Sequence, residues 1–493
     1  MRLWSTLGFG CLVVIFTGVV VVKALVWKNQ CSQITEHFVE QCGDKIDKAL
    51  PLIKWVSRIF PNTEIVESIP LYEELRFLRE DWRYLGGYEQ PISYLILLQN
   101  DTEMRANGGF FGSYAVALIN QAKLELRFED IYSPDGQLSG YVEPPKPIQT
   151  AFLKGGYYLR DSDWDPDFTQ SARTIRWFLS KGGEINPDVM ITISLSTIKK
   201  ILEITGPIPI PDYDLALSSG NVYQKLQAKV ETDFFPGSTQ KKDILTGVGQ
   251  SLMAHLEQLP LKRKLAVARI LLRELQNQNI LLNTNNGSLQ NKFEKKNWAG
   301  GLTRPRCSGG ELSCNLDTFM TIEANMGANK ANCCTARRTT HQIKEQGDSI
   351  VHQVELTYTN ASEEENPKLP DFFGGNYIQY IRFYLPKNST NVEVEASPTN
   401  PTTLAYFPEP YTLGPNNLDI MDIDEFRVVG FFHHTRAGTS SFIQLKYELP
   451  NNGQKYELHL LKQHGMQNSP QEIVMGEQTV TTNLENDYLF RAN

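Results

Sequence analysis

The feature that most constrains this chain is a change in its hydrophobic period at about residue 300. Before that point, short apolar runs alternate with helical patterns. YLILLQN (94–100), AVALIN (115–120) and LELRFEDIY (124–132) read as strands, the last two joined by a turn at 121–123. SARTIRWFLSKGG (171–183) reads as a helix stopped by Gly182 and Gly183. DVMITISLSTIKKILEITG (188–206) begins as a strand, turns at 194–196 and continues as a helix ended by Gly206. KLAVARILLRELQNQNILL (264–282) places its apolar residues three and four apart, as a half-buried helix does. Strands alternating with helices predict an α/β domain over 90–300 with a helical C-terminal part. Beyond it the period falls to two. IVHQVELTYTN (350–360), YIQYIRFYLP (377–386), VEVEAS (392–397), FRVVGFFHH (426–434) and SFIQLKYELP (441–450) predict an all-β sandwich over 315–465. Residues 466–493 read as a tail with little pattern of its own.

The N-terminal end carries a different signal. Residues 3–22 contain no charge, and about 20 apolar residues span a bilayer core as a helix. Trp4 and Trp27 suit the two interfaces, and Lys23 and Lys28 can reach the head groups. The rival reading, a cleaved signal peptide, needs a small-x-small site that KALVWKNQCS does not offer. Residues 1–30 are therefore expected to form a single-pass anchor in the cell membrane. Residues 31–89, amphipathic and interrupted by Pro51, Pro61 and Pro70, are expected to form a helical membrane-proximal segment.

Composition narrows the function classes. A net charge of -8 with no Lys/Arg block argues against nucleic acid as a partner. Of seven cysteines, Cys11 lies in the apolar run, and the others fall into the clusters Cys31/Cys42 and Cys307/Cys314/Cys333/Cys334. Even numbers in each cluster suit disulfides in an oxidising compartment. Free thiols remain open, as does a zinc site, although C-x6-C followed by an adjacent pair is poor zinc spacing.

Two stretches could carry chemistry. ILLQNDTEMRANGGFFGS (96–113) sets Glu103, Arg105 and three glycines after a buried strand. Glycines let backbone approach an anion and Arg105 could bind a phosphate bidentately, yet Glu103 and Arg105 could equally form a structural pair. LRDSDWDPDF (159–168) alternates Asp161, Asp163, Asp165 and Asp167 with Arg160 alongside and Arg173 and Arg176 following. An EF-hand fails, because Pro166 and Ala172 occupy positions that need Gly and Glu. The acids and arginines could hold a Mg2+–diphosphate group, or the acids could complement a helix N-terminus. His433 and His434 are adjacent on a strand, point to opposite faces and cannot easily share a metal.

The ordered series ILLQNDTEMRANGGFFGSYAVALIN, FEDIYSPDGQL, GGYYLRDSDWDPDFTQSARTIRWF, ISLSTIKKILEITGPIPIP and SGNVYQKLQ resembles the bacterial domain-of-unknown-function 4012 family. TFMTIEANMGANKA, LTYTN and YIRFYLP resemble that family's usual C-terminal companion. The resemblance implies a membrane-anchored cell-envelope protein, the bulk of it extracytoplasmic, and implies no known activity. More distantly, the pattern is similar to the LytR–CpsA–Psr proteins, which move glycopolymers from a polyprenyl-diphosphate lipid to the cell wall. That similarity implies a mixed sheet with flanking helices. It also implies catalytic roles for Arg105, Asp130, Arg160 and Asp161, phosphate binding by Arg105, Arg160 and Arg173, and Mg2+ held by Asp161 and Asp165. The partners it implies are the lipid bilayer, a polyprenyl-diphosphate glycopolymer and a wall acceptor. Two charged motifs of those relatives are missing: Phe110-Phe111-Gly112-Ser113 stands where they carry Arg-Ser-Asp-Thr, and Phe128-Glu129-Asp130 where they carry Pro-Arg-Asp. The expectation is therefore double: a phosphotransferase, or a non-catalytic envelope protein binding a glycopolymer or a partner protein through its β domain.

Overall fold

The computed structural model describes residues 64–152, 155–231, 240–308, 314–363, 374–398 and 418–492, with a few positions in 47–54 and residue 415. The expected anchor, Cys11, Cys31 and Cys42 lie outside the described residues. Among the described residues no helix is long and apolar enough to cross a membrane. The described residues divide into two compact units: those within 1–99, 111–136 and 182–299, and those within 100–110, 137–181 and 300–493.

The first unit is an α/β domain. Its strands are β1 (Ile92–Asn100), β2 (Phe110–Asn120), β3 (Lys123–Asp130), β4 (Val189–Ser194) and β7 (Leu282–Thr284), with a separate small pair β5 (Ile208–Ile210) and β6 (Leu215–Leu217). The main sheet runs β3-β2-β1-β4-β7. β1 and β4 are parallel, whereas β2/β3 and β4/β7 are antiparallel, so the sheet is mixed. Asn120 pairs with Lys123, which leaves a two-residue turn in which Gln121 and Ala122 both take positive φ. That is the twist a tight hairpin requires. Here it is held by main-chain bonds from Gln121 to Gly87 and from Ala122 to Gly86. The Ser194 hydroxyl caps the helix Leu195–Thr205 by accepting from the Thr197 amide. This helix packs on Leu261–Gln276, whose buried Leu265, Ala268, Leu272 and Leu275 recur at helical spacing. Both join a core with Tyr94, Phe293 and Trp298. The helix Gln240–Gln258 approaches β3 so closely that a Cβ on Gly249 would sit 2.3 Å from the Phe128 ring.

The second unit is a β-sandwich. One sheet runs β12-β15-β10-β9-β17-β18 and the other β13-β14-β11-β8-β16-β19. In chain order the strands are β8 (Asn315–Asn325), β9 (Thr335–Gln346), β10 (Ser349–Asn360), β11 (Tyr377–Pro386), β12 (Thr390–Ala396) and β13 (Asp419–Ile423). There follow β14 (Phe426–Thr435), β15 (Ser440–Pro450), β16 (Tyr456–Leu461), β17 (Pro470–Met475), β18 (Gln478–Asn483) and β19 (Tyr488–Arg491). Phe383, Phe431 and Leu458 of one sheet and Val354, Ile443 and Leu445 of the other share one core. Residues 466–493 are no tail: β17 runs parallel to β9, and β19 antiparallel to β16. Their polar sequences, PQEIVM and QTVTTN, carry too few apolar residues to stand out as strands.

The boundary expected near residue 300 also shifts. Residues 100–110 and 137–181 belong with the sandwich, although local periodicity reads them as part of the α/β domain. The reason is packing. Ala106 joins Met320, Ile322, Tyr384 and Val428, while Ile148 and Ala151 join Ala324, Ile378, Tyr380 and Phe432. These strand residues form the apolar outer side of the second sheet, which a two-layer sandwich alone would leave wet. Disulfides join Cys307 to Cys314 and Cys333 to Cys334.

Candidate functional site

The segment 100–110 is a tightly folded loop inside the second unit. The Asn100 side chain accepts from the amide and hydroxyl of Thr102, and the Phe110 amide closes the loop on the Glu103 carbonyl. Gly109 takes φ 151° because a Cβ there would stand 2.5 Å from the Asn100 carbonyl oxygen. The glycine serves this close approach of backbone to backbone. Glu103 lies between two cations: Arg105 donates to one carboxylate oxygen at 3.0 Å and Lys330 to the other at 2.6 Å. All three residues are buried. Arg105 also donates to the Asn325 carbonyl and lies between the rings of Phe110 and Phe152. Three further bonds fix the loop to the sandwich. The Asn325 amide donates to Met104, the Asn332 amide to Thr102, and Gln463 to the Arg105 carbonyl.

The acidic stretch packs against this loop. Asn107 donates to the Asp165 carbonyl at 2.6 Å, as does the Ser171 hydroxyl at 2.9 Å. Asp163 is 1% exposed, and among the described residues neither of its carboxylate oxygens has a hydrogen-bond partner. Burial pushes its carboxyl up to about 7; the positive charge of Arg105 pulls the other way and Asp161 pushes further up. Asp161 is buried, with Arg160 3.9 Å away, and Arg160 lies over the Tyr158 ring at 4.4 Å. The Asp165 side chain accepts from the Asp167 amide, and burial raises its carboxyl as well. Asp167 starts the helix Phe168–Lys181 by accepting from the Thr169 amide, so the helix-N-terminus reading holds for this acid. Trp164 accepts from Arg382 through its carbonyl and stacks under the same guanidinium at 4.3 Å.

The residues expected at one diphosphate site come from both units. Asp130 ends β3 in the α/β unit, where its side chain accepts from the Tyr132 amide. Arg105, Arg160 and Asp161 belong to the other unit. Arg173 is exposed on its helix and donates to Gln170 at 3.1 Å. Among the described residues no group of three His, Cys, Asp or Glu side chains is arranged to hold a metal ion.

Sequence reasoning missed two polar clusters inside the sandwich. Glu323 accepts from Arg337 twice, at 3.0 and 2.8 Å, and from the hydroxyls of Tyr358 and Tyr377. Burial works against the Arg337 cation, but Glu323 holds it firmly protonated. The second cluster is a chain. Asp317 accepts from Tyr447 and Tyr456 and contacts His352 at 2.8 Å; His352 contacts His341 at 3.0 Å, and His341 contacts Gln471 at 2.9 Å. Burial pushes the His341 imidazole down to about 3, with His352 adding to the shift. Asp317, His341 and His352 are 0% exposed, and their bonds tie β8, β9, β10, β15 and β16 together. The only signal for it was an Asp and two His on alternating strand positions. His433 contacts the Ser441 hydroxyl at 2.9 Å, and His434, on the opposite face, is also buried.

Residues 89–230 match the family model described as a protein of unknown function, DUF4012. No curated protein matches the chain by sequence. Among solved structures, TagV of Bacillus subtilis, a LytR–CpsA–Psr-family protein, aligns at 11% identity over 36% of this chain and 78% of its own, with a TM-score of 0.23. Lin1025 of Listeria innocua aligns at 11% identity over 43% and 79%, TM-score 0.25. The protein lpg2210 of Legionella pneumophila aligns at 7% identity over 36% of this chain and 66% of its own, TM-score 0.20, so the chain spans just under two thirds of it. Superpositions this loose transfer no activity.

Proposed function

We propose that this protein is a membrane-anchored cell-envelope protein that binds a glycopolymer through its β-rich unit and does not transfer phosphoryl groups. The observation that carries this reading is the state of Arg105. The one arginine that follows the first buried strand is occupied by Glu103 and the Asn325 carbonyl, deep inside the sandwich unit. Phosphoryl transfer depends on cations aimed at the phosphate, and a guanidinium already committed to a buried carboxylate is poorly placed for that work. The two missing charged motifs point the same way. The DUF4012 match and the uncharged run at 3–22 support an envelope location, with the bilayer as partner and the bulk of the chain extracytoplasmic.

The test uses the full chain in detergent or vesicles. A polyprenyl-diphosphate-linked glycopolymer and a peptidoglycan acceptor are supplied with Mg2+, and both transfer and retention of free glycopolymer are measured. The expected result is retention without transfer. Transfer that disappears in Arg160→Ala and Asp161→Asn variants of unchanged melting temperature would restore the phosphotransferase reading, with Mg2+ at Asp161 and Asp165.

A further inference from the structure

We infer that one face of the helix Phe168–Lys181 is a binding surface for an anionic saccharide polymer, with Trp177 stacking on sugar rings while Arg173 and Lys181 pair with the polymer's charges. This inference rests on the glycopolymer-binding reading above and gives it a place in the molecule.

The helix buries Phe168, Ser171, Ala172, Ile175, Phe178 and Leu179. Its other side is wet: Gln170, Arg173, Trp177, Ser180 and Lys181 are exposed. Trp177 is 43% exposed, whereas Trp82 and Trp298 are 2% and 1% exposed. Packing accounts for part of this tryptophan, whose ring meets Phe178 edge-on at 4.9 Å, but 43% of it stays in water, where an apolar side chain gains nothing from burial. Arg173, Trp177 and Lys181 are four residues apart in turn, so they share one face over about 12 Å of helix axis. The Lys181 ammonium lies 5.9 Å from the Trp177 ring, and Arg173 is held by Gln170 at 3.1 Å. The helix carries Arg173, Arg176 and Lys181 and no carboxylate, in a chain of net charge -8. The exposed face itself, with Arg173 and Lys181, is therefore cationic and suits an anion, while the acidic stretch 161–167 lies before the helix N-terminus.

The surroundings of Trp177 decide what kind of anion. A protein hot spot would set the ring among other apolar side chains. Here its exposed neighbours on the helix are an amide, a hydroxyl and two cations. Sugar rings offer that combination, with C–H faces for an aromatic ring and polar edges for the groups around it. Phosphodiesters or carboxylates along the polymer would meet Arg173 and Lys181 in charge-assisted bonds.

The experiment is calorimetric titration of the full-length protein with a glucosylated glycerol-phosphate polymer, with neutral dextran and with inorganic polyphosphate. The wild type is expected to bind the glucosylated polymer best. Trp177→Ala should weaken that binding about tenfold, the scale of one lost aromatic stack, with an unchanged melting temperature. Trp177→Phe should recover most of the loss. Arg173→Ala with Lys181→Ala should weaken binding at low salt and flatten its salt dependence. Wild-type affinity in Trp177→Ala would overturn the inference while leaving polymer binding by another face intact. Equal affinity for polyphosphate and the glucosylated polymer would also overturn it, by reducing the face to a cation patch. Failure of the wild type to bind any of the three would overturn both the inference and the reading beneath it.

Discussion

A charged cluster of the α/β unit and two of the β unit lie at different depths. In the α/β unit one cluster sits at a partly exposed rim, although the interior also holds Glu274, which meets Lys200 at 2.7 Å. Arg127 bridges Glu129 and Glu184, Lys242 reaches Glu129 at 3.0 Å, and the Tyr114 hydroxyl donates to Glu184 at 2.9 Å. Although burial opposes it, the hydrogen bond from Arg127 leads the contacts that hold Glu184 below the usual carboxylate range. The Arg127 side chain is nonetheless 41% exposed. In the β unit two clusters are interior, while pairs such as Arg338–Glu472 stay at the surface. The side chains of Glu103 and Arg105 are each 6% exposed, and that of Glu323 is 3% exposed. Exposed pairs contribute little because water screens them, whereas removing one partner of a buried pair strands the other charge. An Arg next to a Glu in sequence thus has no fixed meaning until its depth is known.

The contrast can be broken first where it is sharpest. Glu323→Ala would strand the Arg337 guanidinium and two tyrosine hydroxyls in the sandwich interior. A loss of about 3–5 kcal/mol is expected in urea unfolding. A loss below about 1 kcal/mol would show that the buried pairs behave like rim pairs.

Asp163 sharpens the comparison through pH. Its carboxyl is pushed up to about 7 in the folded protein, against about 3.9 in an unfolded chain. Between those values the unfolded chain has released a proton that the folded chain keeps. The contribution of Asp163 to stability therefore falls as pH rises through that window. Asp163→Asn should remove that part of the slope, so that its stability relative to wild type grows from pH 4 to pH 8 by on the order of 3 kcal/mol. A wild-type-minus-variant difference that is flat in pH would place the ionised carboxylate in the folded protein.

The smallest effect belongs to the rim. Arg127→Ala should cost no more than about 1 kcal/mol, and 0.5 M salt should erase most of the difference. A larger, salt-insensitive loss would mean that the rim is as dry as the sandwich interior.

The same contrast explains what was legible in the sequence. The mixed-sheet unit was readable because apolar runs alternate with amphipathic helices there, and the Ser194 cap and Gly206 stop fall where periodicity changes. Five sandwich strands stood out: β10, β12 and β15 through period-two alternation, and β11 and β14 through apolar and aromatic residues on both faces. β8 and β9 did not, because their interior positions include Asp317, Glu323, Arg337 and His341, which satisfy one another across strands instead of looking apolar. The polar strands β17 and β18 were lost for lack of apolar residues, one of each pair of faces being wet. At the candidate site, the spacing of Glu103 and Arg105 admitted both a phosphate clamp and a structural pair. The structure adds Lys330, which joins Glu103 from 227 residues away. No local pattern carries such a partner.

The central claim is that the Glu103–Arg105 pair holds the loop on the sandwich and does not grip phosphate. Arg105→Ala tests it directly, with unfolding free energy and polyprenyl-diphosphate binding measured on the same preparation. The account predicts a loss of about 3–5 kcal/mol of stability, the cost of leaving buried charge uncompensated. It also predicts no change in lipid-diphosphate binding under conditions where the variant remains folded. Full stability together with lost, Mg2+-dependent diphosphate binding would contradict it.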